Sequence, residues 1–165
     1  MKRSSVVVLA MLVAACASYS GRGLVPGVAG IDEVIRVMGE PPMRWREADG
    51  TSLLAYPRGP MGTSTYMVLI GTDGKLQRIE DVMKHQAFVR IQAGMSKDQV
   101  LHVLGPPVPA WSEYFKARDE LVWEWRYCDD WNSLARFDVL FDGSKEVVRS
   151  TMSIREDCDT VACLC

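Results

Sequence analysis

Histidine is scarce in this chain: the 165 residues include only two, His85 and His102. They lie far apart in the sequence, and neither has a neighbour that could serve as a nucleophile, so a histidine-dependent catalytic centre is not predicted. The formal net charge is only −2, without the basic excess that is typical of nucleic-acid-binding proteins. These absences favour a non-enzymatic protein with no cofactor, no bound metal and no nucleic-acid partner.

Long hydrophobic runs are also missing. The apolar or small run over residues 6–16 is shorter than the about 20 residues that a membrane-spanning helix requires. It follows Lys2 and Arg3 and ends in Val-Ala-Ala-Cys, which is typical of an export signal. The cysteine at its end, Cys16, resembles the lipobox cysteine of bacterial lipoproteins, which is acylated and becomes the first residue of the mature protein.

The lipobox interpretation divides the N-terminal part of the chain. It predicts a lipoprotein signal peptide over residues 1–15, lipidation at Cys16 and a flexible tether over residues 16–26. By similarity to lipoproteins of Gram-negative cells, Ala17 after the cysteine, rather than aspartate, indicates the outer membrane, with the protein facing the periplasm. The alternative is ordinary signal cleavage after Ala17, in which case Cys16 is lost with the signal.

Four further cysteines lie towards the C-terminus: Cys128, Cys158, Cys163 and Cys165. Because an exported protein meets an oxidising compartment, an even number of cysteines predicts disulfides. Four cysteines allow three pairings, and one plausible arrangement joins Cys128 to a tail cysteine and closes a small loop within the tail. The alternatives for residues 158–165 are spare thiols or a metal site, although the spacing matches no common zinc pattern.

The chain contains an internal repeat. Residues 30–42 align with residues 96–108, and both segments combine apolar residues at helical spacing with a following glycine and prolines. This pattern predicts two short amphipathic helices, which end at Gly39 and Gly105 in a left-handed conformation. The second helix begins with a predicted capping box at Ser96.

Strand-like segments follow each helix. In the second copy polar and apolar residues alternate, which predicts strands over residues 123–127, 137–141 and 147–154. The first copy repeats this order, with predicted strands over residues 53–56, 66–70 and 76–83. Residues 114–120 are predicted to form a loop. The predicted fold class is therefore α+β, with two tandem repeats, each a short helix or helical hairpin packed on a three- to four-stranded antiparallel sheet. The predicted bounds are 27–84 and 85–157, followed by a Cys-rich tail at 158–165.

The second repeat resembles the SmpA/OmlA (BamE-like) lipoprotein family. Residues 91–107 contain Gly-Met-Ser, a valine and then Leu-Gly-Pro-Pro, and aromatic residues at 123–127 and a Phe-x-Gly hairpin at 139–143 follow. The resemblance implies a helical hairpin against an antiparallel sheet, a fold similar to each half of β-lactamase inhibitor protein. Family members are non-enzymatic outer-membrane lipoproteins that face the periplasm. The best-studied type is an accessory subunit of the β-barrel assembly machine.

We therefore expect a scaffold or adaptor that binds proteins, with outer-membrane assembly subunits as the implied partners and the lipid on Cys16 as the membrane contact. The alternative is a periplasmic or secreted inhibitor-type module that binds a hydrolase. Aromatic residues are clustered within residues 111–131, and three of them, Trp123, Trp125 and Tyr127, are predicted to face the helix. Trp131 lies in a polar loop and is predicted to be an exposed interface residue, because tryptophan is enriched at binding hot spots.

Overall fold

The computed structural model describes residues 20–59, 61–157 and 165, and it confirms the α+β class with two helix-plus-sheet repeats. The first unit contains α1 (Ile31–Met38), β1 (Met43–Arg46), β2 (Ser52–Pro57), β3 (Thr65–Ile70) and β4 (Leu76–Asp81). The second contains α2 (His85–Phe88), α3 (Lys97–Leu104), β5 (Glu113–Phe115), β6 (Glu120–Cys128), β7 (Leu134–Asp142) and β8 (Val148–Arg155). Each sheet is antiparallel with its strands in chain order. The predicted signal peptide, Cys16, Cys158 and Cys163 lie outside the described residues.

The two main helices begin differently. At the start of α3, the Gln99 N–H donates to Ser96 Oγ at 3.2 Å and the Ser96 N–H donates to Gln99 Oε1 at 2.8 Å, so the predicted capping box is confirmed. The helix α1 begins at Gly30, which has no side chain to accept a bond from the first turn. The first helix therefore lacks one stabilising contact that the second one has.

Both main helices end at the predicted glycines. Gly39 has φ 88° and ψ −178°, and Gly105 has φ 69° and ψ −167°. The positive φ agrees with the prediction, whereas ψ differs from the left-handed helical value because the chain leaves each helix in an extended direction. This combination is accessible almost only to glycine, so a side chain at either position would strain the backbone.

Matching hydrogen bonds show that the repeat is structural as well as sequential. In each unit the residue before the helix pairs with the residue before the last strand, through the isolated bridges Gly30–Lys75 and Ser96–Val147. In each unit the pair formed by the last two strands also contains one register shift. This shift lies between Leu69 and Ile70 in the first unit and at the equivalent place in the second. The starts of α1 and α3 are thereby each fixed to the last strand of their own sheet.

The elements stack in four layers. The helix α1 covers one face of the first sheet, where Val34 and Met38 pack on Leu54 and Val68. The opposite face of that sheet shares a single core with α2, α3 and the second sheet, including Ala55, Met67, Val100, Leu104, Trp125 and Phe137. The two units are therefore joined by packing and do not continue one sheet.

The strand predictions need two corrections. Residues 113–115 form β5, which pairs with β6, whereas the sequence predicted a loop over 114–120. The strand β1 was not identified as a separate element either. Both are short edge strands with no fully buried residue: β1 alternates half-buried and exposed residues over only four positions, and β5 shows no alternation over its three.

The cap difference gives a paired stability prediction. Ser96→Ala should lower the free energy of unfolding by about 1 kcal/mol, because the N–H of Gln99 loses its acceptor. Gly30→Ser should raise it by a few tenths of a kcal/mol, because Gly30 has an extended backbone and nothing closer than 4.0 Å to a new Cβ. Urea unfolding of both variants measures the two effects. Changes of the same sign would contradict the prediction.

Candidate functional site

The turn between β6 and β7 forms the best-defined surface feature of the second unit. We refer to residues 128–133 as the hairpin tip. It is covalently fixed at its first residue, because Cys128 forms a disulfide with Cys165 over a Cα–Cα distance of 6.0 Å. The Cys165 N–H also donates to the Asn132 carbonyl at 2.9 Å, so the end of the chain is tied to the tip twice.

Asp129 organises the hairpin tip from within. Its Oδ1 accepts from the Trp131 N–H at 2.9 Å and from the Ser133 N–H at 2.8 Å, and its Oδ2 accepts from Arg155 Nε at 2.8 Å. The bond from the Ser133 backbone is the main cause that lowers the pKa of Asp129 below its usual range. Both Asp129 and Asp130 are therefore turn residues, and of the two only Asp130 is exposed.

Trp131 lies at the outer side of this turn and is exposed over 73% of its surface, as the sequence predicted. The Arg155 guanidinium lies 4.8 Å from the centroid of its ring, a cation–π contact that holds the indole in place. A rigid exposed aromatic loses little conformational entropy on binding, which suits an anchor residue.

A cleft of about 390 Å³ opens beside Trp131. Its walls combine aromatic and charged side chains, including Lys84, His85, Phe88, Tyr127, Asp130 and Arg155. His85, which had no identifiable partner in the sequence, contributes to this wall. The cleft is concave and mixed in polarity, which is typical of a surface that binds a polypeptide rather than a small apolar ligand.

The remaining aromatic residues of the second sheet are core residues. Trp125 is buried, and Trp123 and Tyr127 are partly buried against the same core, so their predicted position beneath the helices is confirmed. The indole N–H of Trp125 donates to the Gly105 carbonyl at 3.3 Å, which satisfies its only polar atom. Trp125 is therefore not available to a partner, whereas Tyr127 also contributes to the wall of the cleft beside Trp131.

The repeat places His102 on α3 and Arg36 on α1 at equivalent outward positions, which predicts that both are solvated surface residues, and His102 differs from this prediction. Its side chain is only 27% exposed, with its ring centroid 4.6 Å from that of Trp45 and its Nε2 3.4 Å from Glu47 Oε1. The equivalent residue on α1, Arg36, is exposed as predicted. The difference arises because α3 also contacts the first sheet, whose strand β1 ends beside His102.

A buried carboxylate that the sequence did not indicate lies in β7. Asp138 is 6% exposed, and its Oδ1 has no hydrogen-bond partner in the described part of the chain. Burial raises the pKa of Asp138 to about 6, and the carboxylate of Glu124, directly across the strand pair, adds to the rise. The positive charge of Arg136 lowers the pKa of Asp138 and so opposes this rise. The Arg136 guanidinium carbon lies 3.9 Å from the centroid of the Trp111 ring. Alternation alone would place Asp138 on a solvated face, so only this long-range packing reveals its burial.

The four predicted disulfide cysteines are only partly visible. The structure joins Cys128 to Cys165, one of the pairings that the sequence left open, whereas Cys158 and Cys163 lie outside the described residues. Among residues 20–59, 61–157 and 165, no group of three or more histidine, cysteine or acidic side chains is arranged to hold a metal ion. No helix within these same ranges is long and apolar enough to span a bilayer.

Comparisons with protein-family models, characterised proteins and solved structures give no significant match to this chain. The resemblance of residues 91–107 to SmpA/OmlA lipoproteins therefore stays a prediction from sequence. The hairpin tip and its cleft are defined by the geometry of this chain alone.

Asp138 gives a pH-dependent prediction. Between about pH 4 and 6 the folded state holds a proton that the unfolded state releases, so the free energy of unfolding falls as the pH rises through this window. At about 1.4 kcal/mol per pKa unit, the loss is about 2–3 kcal/mol. Asp138→Asn should therefore be more stable than the parent at pH 8 and equal to it near pH 4, as measured by urea unfolding.

Asp129→Asn is the matched control with the opposite sign. The pKa of Asp129 is lowered in the folded state, so its carboxylate stabilises the fold at pH 8 and this contribution is lost as the pH falls through the lowered value. Asp129→Asn should therefore be less stable than the parent at pH 8. A stability difference for Asp138→Asn that does not vary with pH would contradict the assignment of a buried charge.

Proposed function

We propose that this chain is a non-catalytic lipoprotein of the bacterial outer membrane that faces the periplasm and acts as a scaffold or adaptor. The observation that carries the binding role is the exposure of Trp131 on a tip that is fixed by the disulfide, by Asp129 and by Arg155. An exposed tryptophan that is rigidly held next to a cleft is a typical binding anchor. The membrane role rests on the lipobox pattern at Cys16.

The partner class follows from the sequence resemblance. SmpA/OmlA lipoproteins work beside the β-barrel assembly machine, so we expect subunits of that machine or outer-membrane proteins as partners, in assembly or in envelope integrity. A second candidate is an inhibitor-type module, because a turn stiffened by a disulfide and carrying one exposed aromatic also suits insertion into the cleft of a periplasmic hydrolase.

Crosslinking in cells tests the binding role. A photo-crosslinking residue in place of Asp130, which is exposed beside Trp131, should form a protein adduct. Trp131→Ala should reduce the yield roughly 30-fold, since truncation of a hot-spot tryptophan costs about 2 kcal/mol or more. Mass spectrometry of the adduct identifies the partner.

Tyr114→Ala is the matched control, because Tyr114 is another exposed aromatic of the same sheet, on β5. It should leave the adduct unchanged. Outer-membrane or assembly proteins in the adduct support the scaffold role, and a soluble hydrolase supports the inhibitor role. An adduct yield that does not depend on Trp131 would contradict the proposed site.

The anchor is tested separately. Cys16→Ala should abolish labelling by a palmitate analogue and release the protein from membranes in a high-salt wash, because acyl chains supply about 0.8 kcal/mol of membrane affinity per buried methylene. Cys165→Ser is the control, which loses the disulfide but should keep the label. A Cys16→Ala protein that still sediments with membranes after the wash would rule out lipid anchoring.

A further inference from the structure

The strand β8 forms one edge of the second sheet, because the strand order is β5-β6-β7-β8. All of its residues after Val148 are exposed. Long exposed edges present unpaired backbone groups to which another strand can add, and proteins usually cover or shorten them. An uncovered edge of this length in the second unit therefore requires an explanation.

The direction of the hydrogen bonds shows which groups of β8 are unpaired. The Glu156 N–H donates to the Leu134 carbonyl at 3.0 Å, and bonding direction alternates along an antiparallel strand. The N–H and C=O groups of Thr151, Ser153 and Arg155 therefore face away from β7. No other group in the described ranges forms a hydrogen bond with these outward backbone atoms.

Within the described part of the chain, backbone bonds cover only the first residue of this edge. Val148 exchanges two backbone bonds of 2.8 Å with residues 94–95. The first unit has the same arrangement at Leu76, which bonds to residues 27–29. The internal repeat thus places a covering segment at the start of each last strand, and it leaves the rest of β8 open.

The equivalent edge in the first unit is shorter and better covered. The strand β4 ends at Asp81, whose carboxylate accepts from the N–H groups of Thr65 and Met83. Gly21 lies so close to Ile79 of the same strand that no side chain would fit between them. The two last strands therefore differ in access, although the units share one fold.

Exposed apolar side chains concentrate around β8. Eight large hydrophobic residues are exposed in the described ranges, and four of them lie on this strand or beside it. Met152 and Ile154 belong to β8, and Val89 and Trp131 line the clefts next to it. A cleft of about 470 Å³ lies between β8 and α2, and it shares His85, Phe88 and Ser153 with the cleft beside Trp131. The two clefts form one groove that follows the open edge and ends at the hairpin tip.

Charge distinguishes between possible occupants of this edge. The strand β8 contains no acidic residue, so the β8 strand of a second copy would bring no carboxylate to this edge, and its Arg149 and Arg155 are already ion-paired with Asp142 and Asp129. Lys84 lines the groove near Trp131, is exposed and forms no ion pair with another described residue. These charges favour a different protein segment that carries a carboxylate near the hairpin tip.

We propose that β8 receives an extended segment of the partner protein as a fifth strand of the second sheet, an inference that rests on the protein-binding role proposed above. The segment is apolar at alternate positions, so that one set of side chains enters the groove over Phe88 and the other lies beside Met152 and Ile154. An acidic residue at the end near Trp131 faces Lys84. Backbone bonds to Thr151, Ser153 and Arg155 supply register, and the groove supplies specificity.

Amide hydrogen exchange tests this mode of binding directly. In the free protein the N–H groups of Thr151, Ser153 and Arg155 should exchange rapidly, whereas those of Met152 and Ile154, bonded to β7, should exchange slowly. The probe is a synthetic peptide of alternating valine and threonine with a terminal glutamate. It should slow the three fast amides roughly tenfold or more, as expected for the gain of a backbone hydrogen bond. The same peptide N-methylated at alternate residues is the control and should have no effect.

Unchanged exchange of the three amides at the highest soluble peptide concentration would overturn the proposal. Ser153→Pro removes one outward N–H without removing a bond to β7, and it should abolish both the slowing and the partner adduct formed from position 130. Ser153→Ala keeps the N–H and should behave as the parent. Thermal unfolding of both variants verifies that the fold is intact.

The yield of the crosslinked adduct distinguishes failure of the strand-binding mode from failure of the protein-binding role. If the Trp131-dependent adduct persists in a folded Ser153→Pro protein, the partner binds at the hairpin tip and the strand mode is wrong. If no Trp131-dependent adduct forms in the parent protein, the binding role itself is wrong.

Discussion

The arrangement of the two units depends on the close approach at Gly105. Its carbonyl accepts the indole N–H of Trp125 from the second sheet, while its missing side chain leaves room for the first sheet. A Cβ there would lie 2.9 Å from Thr65 Cγ2 and 3.4 Å from the Ala55 Cβ. Gly39, at the end of the first helix, has open space around it. Gly39 thus only ends α1, whereas Gly105 ends α3 and also joins the two units.

This junction explains why two repeats form a complete stack. The free face of the first sheet is covered by the helices of the second unit, as in repeat proteins in which each unit covers its neighbour. The free face of the second sheet instead carries ion pairs, in which Arg136 contacts Glu124 and Arg126 contacts Glu156. A charged outer face is typical of a terminal repeat.

Local features were predictable from sequence, and features set by distant packing were not. The cap at Ser96, the stop at Gly105 and the exposure of Trp131 depend on residues near in sequence, so composition and spacing indicate them. The half-burial of His102 arises beside Trp45 and Glu47 of the other unit, and Asp138 is buried in the sheet opposite Glu124 of the neighbouring strand. No periodicity within a single helix or strand contains that information. The hairpin tip could therefore be anticipated, but the open edge of β8 required the sheet order.

The isolated bridges that tie the starts of α1 and α3 to the last strands of their own sheets have a consequence for how the chain folds during synthesis. The first helix is held only after residue 75 has emerged, and the second only after residue 147. The first unit can close its own core before the second unit appears, because its helix and sheet pack on one another. The second unit then folds on a surface that already exists. Vectorial emergence from the N-terminus thus favours an ordered assembly in which the first sheet acts as the template for the second helix layer.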